Sequence, residues 1–221
     1  MQIAIIAGPT HETAHSRICL ANKINYIDGI ELRLDLFRSI ELHDIQQLIN
    51  LAQGKVIVTL RSKKSGGGFT GSIDTQKLLL ESLLHSQPSY MDIEYDTAYD
   101  CFSHLNDLRS KHEYSTKFIL SYHNVKETPK CLESILRNMS DYCPDIYKIC
   151  TMARYESDGY RMLLFIRRHQ KHKKIIGLCM GEKGKMTRSD GIKSGNYLNY
   201  VILHYRDKET LKTKFLPLLQ I

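Results

Sequence analysis

Eight apolar runs of β type recur along the chain, each roughly 25–35 residues after the last, and this spacing restricts the fold more than any other feature. The runs are "IAIIA", "GIELRLDLF", "KVIVTLR", "YMDIEYD", "KFILSYH", "DIYKICT", "KIIGLCM" and "LNYVILH". Between most of them the apolar period lengthens to that of a helix. "ELHDIQQLINLAQ" places Leu42, Ile45, Leu48 and Ile49 at helical spacing, and "SDGYRMLLFIRRHQ" does the same with Tyr160, Leu163, Leu164 and Phe165. Strands that alternate with helices build parallel sheets through crossover connections. Eight such units fit a single-domain (β/α)8 barrel over residues 1–221, an architecture that needs roughly 200 residues at the least. An open doubly wound sheet is the competing α/β arrangement, but no G-x-G-x-x-G follows the first strand.

Composition agrees with one large core. The 221 residues are 42% hydrophobic and 25% charged, and no compositional shift marks a linker. No apolar stretch approaches the ~18 residues of a membrane span, and no basic segment precedes "QIAIIAG". The expectation is a soluble, cytoplasmic protein that is not exported. Six cysteines without a C-x-x-C pair favour reduced, packed thiols over a disulfide framework or a zinc site. The net charge of +7 is mostly due to "RRHQKHKK", residues 167–174. A basic run at a helix end is a solvated face that suits the helix dipole. Without interleaved aromatic residues it does not argue for nucleic acid, and attraction of a small anionic substrate is the inference it allows.

Side chains alternate between the two faces of a strand, and here the polar residues keep to one parity. Glu31, Arg33 and Asp35 oppose Ile30, Leu32 and Leu34. Thr59 and Arg61 oppose Val58 and Leu60. Asp92 and Glu94 oppose Met91 and Ile93, and Ser121 and His123 oppose Leu120; Lys148, in the middle of "DIYKICT", belongs to the same polar set. Parallel strands buried on both faces should be almost wholly apolar. Five consecutive strands instead carry ionisable groups toward their C-terminal halves, where barrel enzymes build their sites. A purely structural reading is also open, in which these charges form buried ion pairs or line an exposed antiparallel face.

A lysine in such company has a specific use. Desolvation and neighbouring cations favour the neutral amine, which attacks a carbonyl to form an imine. The protonated imine is an electron sink that acidifies the adjacent carbon, and His123, on the next strand, is suited to take that proton. The pattern predicts Schiff-base chemistry on a ketone or aldehyde.

The residues at this point resemble the type I 3-dehydroquinate dehydratases of the shikimate pathway. "ELRLD", "TLRSKKSGGG", "MDIE", "SYHN", "YKIC" and "GKMTRSDG" look like six of that family's motifs in order, over nearly the whole chain. The resemblance implies a (β/α)8 barrel, commonly a homodimer, that needs no metal or organic cofactor. It implies that Lys148 forms the imine with the C3 ketone of 3-dehydroquinate and that His123 moves protons at C2 and at the departing C1 hydroxyl. Arg188 would pair with the substrate carboxylate, while Glu31, Arg33 and Arg61 would hold the ring hydroxyls. Asp92 and Glu94 read either as groups that support the site from behind or as groups that fill the barrel interior.

The chain departs from the family pattern at two places. Where the family has a glutamate hydrogen-bonded to the catalytic histidine, four residues after the strand arginine, this chain has Ser65. Where the family has a Ser or Thr and a P-G-Q loop after the eighth strand, "HYRDKETLK" is expected to run straight into a last helix. A barrel that binds ligand with weak turnover, or another Schiff-base enzyme of the class I aldolase kind, therefore stand as alternatives. Taken alone, Arg188 reads as an ordinary loop arginine, and "SGGGFTG" reads as a flexible loop rather than a phosphate cradle. The nine histidines other than His123 read as surface groups.

Overall fold

The computed structural model describes residues 1–206 and 210–214. All eight apolar runs form strands: β1 (Gln2–Ile6), β2 (Gly29–Arg33), β3 (Lys55–Thr59), β4 (Tyr90–Glu94), β5 (Lys117–Asn124), β6 (Ile146–Met152), β7 (Ile175–Met180) and β8 (Asn199–Arg206). Helices α1 (His11–Ala21), α2 (Leu42–Leu51), α3 (Ile73–His85), α4 (Tyr95–Lys111), α5 (Leu132–Ser140) and α6 (Glu156–His169) fill the intervals up to β7. A short α7 (Met186–Ser189) precedes β8. The chain divides into two compact units, Met1–Phe118 and Ile119–Ile221.

In the first unit β1 to β4 pair in parallel and in sequence order. The register sets Ile5, Glu31, Ile57 and Tyr90 in one row and Arg33, Thr59 and Asp92 in another. Residues in these rows share one face of the sheet. The other face carries Ala4, Ile6, Ile30, Leu32, Val56, Val58, Met91 and Ile93, all buried. Helices α1 and α4 pack on β1 and β4, and bury Ala14 and Ile18, and Cys101, Phe102 and Leu105, respectively. Each large apolar side chain removed from water in this layer contributes about 1.5–3 kcal/mol. Thr10 and Ser72 start α1 and α3 by accepting the amides of Thr13 and Thr75, so the turns after β1 and β3 close into helices.

In the second unit β5, β6 and β7 are parallel neighbours. Ser121 and His123 share a face with Lys148 and Cys150 and with Ile176 and Leu178. Tyr147, Ile149, Thr151, Gly177 and Cys179 point the other way, and α6 packs on β7 at Gly177 and Cys179. A Cβ on Gly177 would lie 2.8 Å from Met162 Sδ and Ile166 Cγ1, so the absent side chain lets α6 approach β7 closely. The N-terminus of α6 is tied down by Asp158. Its Oδ2 accepts the amides of Arg154 and Tyr155 at 2.9 and 3.0 Å, and its Oδ1 pairs with Arg161 Nη2 at 2.7 Å. Arg161 also donates to the carbonyls of Thr128 and Pro129, which binds the loop after β5 to the helix.

A ninth strand stands in the segment that was expected to lead straight into the last helix. Thr210–Lys214 forms a strand, β9, antiparallel to β8. "TLKTK" has two β-branched threonines and no apolar pair at helical spacing, a pattern that suits a strand. Residues 215–221, where the rest of that helix would fall, lie outside the described residues. None of the six cysteines is in a disulfide; Cys101, Cys150 and Cys179 are buried as expected of packed thiols, whereas Cys131 and Cys143 are exposed. Among the described residues no helix is long and apolar enough to cross a membrane.

The Asp158 anchor sets an acid-sensitive contribution to stability. Burial opposes ionisation of this carboxyl, but Arg161 and the amides of Tyr155 and Arg154 outweigh it and hold its pKa below the ordinary value. The contribution is therefore complete above the unfolded-state pKa near 3.9 and is lost as pH falls through the lower folded value. Asp158→Asn should lower stability by about 1–3 kcal/mol in urea titrations at pH 7. The gap between the two proteins should narrow below about pH 4; a gap that does not change with pH would contradict this reading.

Candidate active site

Polar side chains of the first unit are organised around Arg61, just beyond β3. Its Nη2 lies 2.7 Å from Asp92 Oδ2 and its Nη1 3.1 Å from Glu94 Oε1, with all three side chains buried. Burial works against the guanidinium charge, yet Asp92 and Glu94 more than offset it and push the Arg61 pKa above its ordinary value. Glu94 also accepts from the Ser62 amide and hydroxyl and from Gln76 Nε2. Gln76 in turn donates to the Leu60 carbonyl and accepts from Thr97. Asp92 and Glu94 thus fix Arg61, and the ion-pair reading describes this set.

Glu31 and Arg33 are placed differently. Thr59 Oγ1 donates to Glu31 Oε1 at 2.8 Å. Arg33 makes a two-pronged pair with Asp35, Nε to Oδ1 and Nη2 to Oδ2, each 2.8 Å. Asp35 is not in the strand. β2 ends at Arg33, and a 3-10 turn over Leu34–Leu36 swings the Asp35 carboxylate back toward the guanidinium.

The glycine-rich segment folds back on its own strand instead of standing open. Phe69 N donates to the Arg61 carbonyl at 3.0 Å, Lys63 N to Phe69 O at 2.9 Å, and Gly68 N to Asp35 Oδ2 at 2.9 Å. A Cβ on Gly67 would fall 2.2 Å from Arg61 O, so the glycine serves close backbone approach. Ser65 closes the 3-10 turn Lys63–Ser65, its amide donating to Ser62 Oγ at 3.3 Å, and it is half-buried.

The second unit holds the lysine and the histidine. Lys148 is 4% exposed, and its Nζ lies 4.5 Å from the centroid of the Tyr200 ring on β8, where the negative face of the ring attracts a cation. Ser121 is the register partner of Lys148, and His123 stands one row further along the same face, opposite Cys150. The sequence did not single out Tyr200, although strand alternation in "LNYVILH" marks it as one of a face; which face meets Lys148 is decided only by how the strands come together.

Arg188 is no ordinary loop arginine. It is 6% exposed, and both terminal nitrogens of its guanidinium are buried with no hydrogen-bond partner among the described residues. Its position is set by its neighbours in the chain. Thr187 Oγ1 accepts the Cys179 amide at 2.9 Å and donates to Gly184 O at 2.7 Å, while Asn199 Nδ2 donates to the Arg188 carbonyl at 3.0 Å. Burial lowers the Arg188 pKa from its ordinary value. A desolvated guanidinium is costly unless an anion reaches it, and its planar fork matches a carboxylate. Among the described residues no group of three or more His, Cys, Asp or Glu side chains is arranged to hold a metal ion.

Residues 3–208 match the sequence model of the family described as Type I 3-dehydroquinase. A 3-dehydroquinate dehydratase of Methanocaldococcus jannaschii is 31% identical over 176 residues, 78% of this chain and 76% of that protein. The solved structure of the 3-dehydroquinate dehydratase from Aquifex aeolicus superposes with a TM-score of 0.77 at 28% identity, covering 99% of this chain and 92% of the other. That of the Enterococcus faecalis 3-dehydroquinate dehydratase gives a TM-score of 0.81 at 24% identity, covering 90% and 87%. The fold is the (β/α)8 barrel expected from the alternation of strands and helices.

The ion-pair cluster makes a prediction of its own. Arg61→Leu leaves Asp92 and Glu94 buried without their cation and should destabilise the protein by about 3–5 kcal/mol. The triple variant Arg61→Leu/Asp92→Asn/Glu94→Gln should recover part of the loss in the same denaturation assay. No recovery would show that Arg61 acts through packing rather than charge.

Proposed function

Because the chain belongs to the type I 3-dehydroquinase family, we propose that this enzyme converts 3-dehydroquinate to 3-dehydroshikimate and water, the third step of the shikimate pathway, through an imine on Lys148. The observation that carries the reading is the buried Lys148 amine in the same unit as a buried guanidinium, Arg188, whose terminal nitrogens have no described partner. An amine for the ketone and a fork for the carboxylate are the two groups that such a substrate requires.

In this reading Nζ, as the neutral amine, adds to the C3 ketone, and loss of water leaves a protonated imine. The Tyr200 ring, which already faces Nζ, favours that cation. His123 removes the C2 proton, and the electron pair moves into the imine to give an enamine. The enamine expels the C1 hydroxyl as His123 returns a proton to it, and water then hydrolyses the imine to release product and lysine. Arg188 holds the carboxylate, and Glu31, Arg33 and Arg61 hold the ring hydroxyls, with Asp92 and Glu94 keeping Arg61 in place. Ser65 provides no carboxylate for the histidine, so the proton shuttle works without an anionic partner from that position. The same reading takes residues 1–221 as one domain of a cytoplasmic homodimer that uses no cofactor.

Borohydride added with 3-dehydroquinate should reduce the imine to a stable amine, and a digest should place the added mass on Lys148. An adduct on another lysine, or none, would remove the assignment. His123→Ala should still allow the adduct to form while turnover falls by about 10²–10⁴-fold, the usual worth of general acid–base help. Near-normal turnover in that variant would exclude the role given to His123.

A further inference from the structure

The basic run "RRHQKHKK" takes no part in the dehydration proposed above, and the structure divides it in two. Arg168 and His169, on α6, both pair with Glu133, at 2.8 and 2.6 Å. Lys171, Lys173 and Lys174, beyond the helix, are in no ion pair among the described residues. Nor does the end of the helix need them. The Ile166 carbonyl accepts the Gln170 amide, the Arg167 carbonyl accepts Gln170 Nε2, and the His169 carbonyl accepts the amides of His172 and Lys173.

The three lysines line a cavity of about 310 Å³ together with Gln170, Gly195 and Tyr197, and no Asp, Glu or Arg lines it. Gly195, at a φ of +97°, lets the segment before β8 lie against the end of α6, since a Cβ there would fall 1.9 Å from Gln170 Oε1. Lys173 is half-buried and held in place. Its Nζ donates to Ser140 Oγ at 3.2 Å and to Tyr147 Oη at 3.1 Å, which leaves one N–H of the ammonium for a ligand. Lys174 Nζ stands 5.5 Å from the centroid of the Tyr197 ring. The cavity precedes β7 and the turn that carries Arg188 follows it, so the two lie at opposite ends of that strand.

Three ammonium groups around one cavity repel one another until an anion lies between them, and together they raise the potential there. A single charge meets one of them, whereas linked phosphates meet several at once. Lysine binds phosphate as a point charge, without the fork that matches a planar carboxylate. We propose that this cavity binds a small soluble anion with two or more linked phosphates, such as diphosphate or the polyphosphate tail of a nucleotide, at a site separate from the dehydration centre.

The test acetylates the lysines of the intact chain briefly at low ionic strength, with and without inorganic diphosphate, and reads each lysine by mass spectrometry. Diphosphate should slow acetylation at Lys171 and Lys174 and leave the exposed Lys111 and Lys130 unchanged. In calorimetric titrations diphosphate should bind more tightly than orthophosphate, and added salt should weaken it. The double variant Lys171→Gln/Lys174→Gln should lose about tenfold in affinity for diphosphate, as expected for two exposed ionic contacts. Equal slowing at Lys111 and Lys130, orthophosphate binding as tight as that of diphosphate, or wild-type affinity in the double variant would overturn the proposal. So would protection of Lys171 and Lys174 by a single-stranded oligonucleotide but not by diphosphate, which would mark a nucleic-acid surface instead.

Discussion

Taking a cation out of water costs several kcal/mol, and the way this chain meets that cost at four buried positions shapes the rest of it. Arg33 is met by the two oxygens of Asp35, and Arg61 by Asp92 and Glu94. Asp35 comes from the turn beyond β2 and Asp92 and Glu94 from β4 itself, so the ion pairs also fix the local backbone. Lys148 faces the Tyr200 ring. Arg188 alone of the four has terminal nitrogens that the described residues do not satisfy. The first two cations are thus closed arrangements with structural value. The last is an open one, and openness toward an anion is what separates a binding group from a packing group.

This contrast orders the candidate residues by what they can do. Arg61 is held by two carboxylates and by the Ser62 and Gln76 hydrogen bonds around Glu94, so it is rigid and strongly neutralised. In the proposed reading such a group positions a ligand but adds little net charge to it. Arg188 is fixed through its backbone and through Thr187, and its terminal nitrogens have no hydrogen-bond partner among the described residues. The Lys148 amine needs the opposite treatment, a site that tolerates both a neutral and a cationic nitrogen, and an aromatic face is milder than a carboxylate in this respect.

Much of this was legible from the amino acids alone. The eight strands, the polar parity of five of them and the helices between them follow from periodicity, because burial on two faces imposes it on each strand separately. The pairing of His123 with the face of Lys148 also follows, since a parallel register carries parity across neighbouring strands. What was not legible depends on how segments meet. Tyr200 could be assigned to a strand but not to Lys148. Arg188 looked like a loop residue because nothing local shows that Thr187 and Asn199 draw its turn against β7. The glycines of "SGGGFTG" suggested mobility, whereas they permit the loop to lie against Arg61 and Asp35. Nor does the sequence reading mark "TLKTK" as a strand, although its two β-branched threonines suit one.

The account stands on the claim that a buried lysine and a buried, unsatisfied guanidinium together carry out a dehydration. The most direct measurement is the ultraviolet absorbance of the enone product when the purified chain is given 3-dehydroquinate. The account predicts that absorbance grows with time in proportion to enzyme and is abolished by Lys148→Ala. A folded wild-type protein that produces no enone, or a Lys148→Ala variant that produces it at the wild-type rate, would contradict the account.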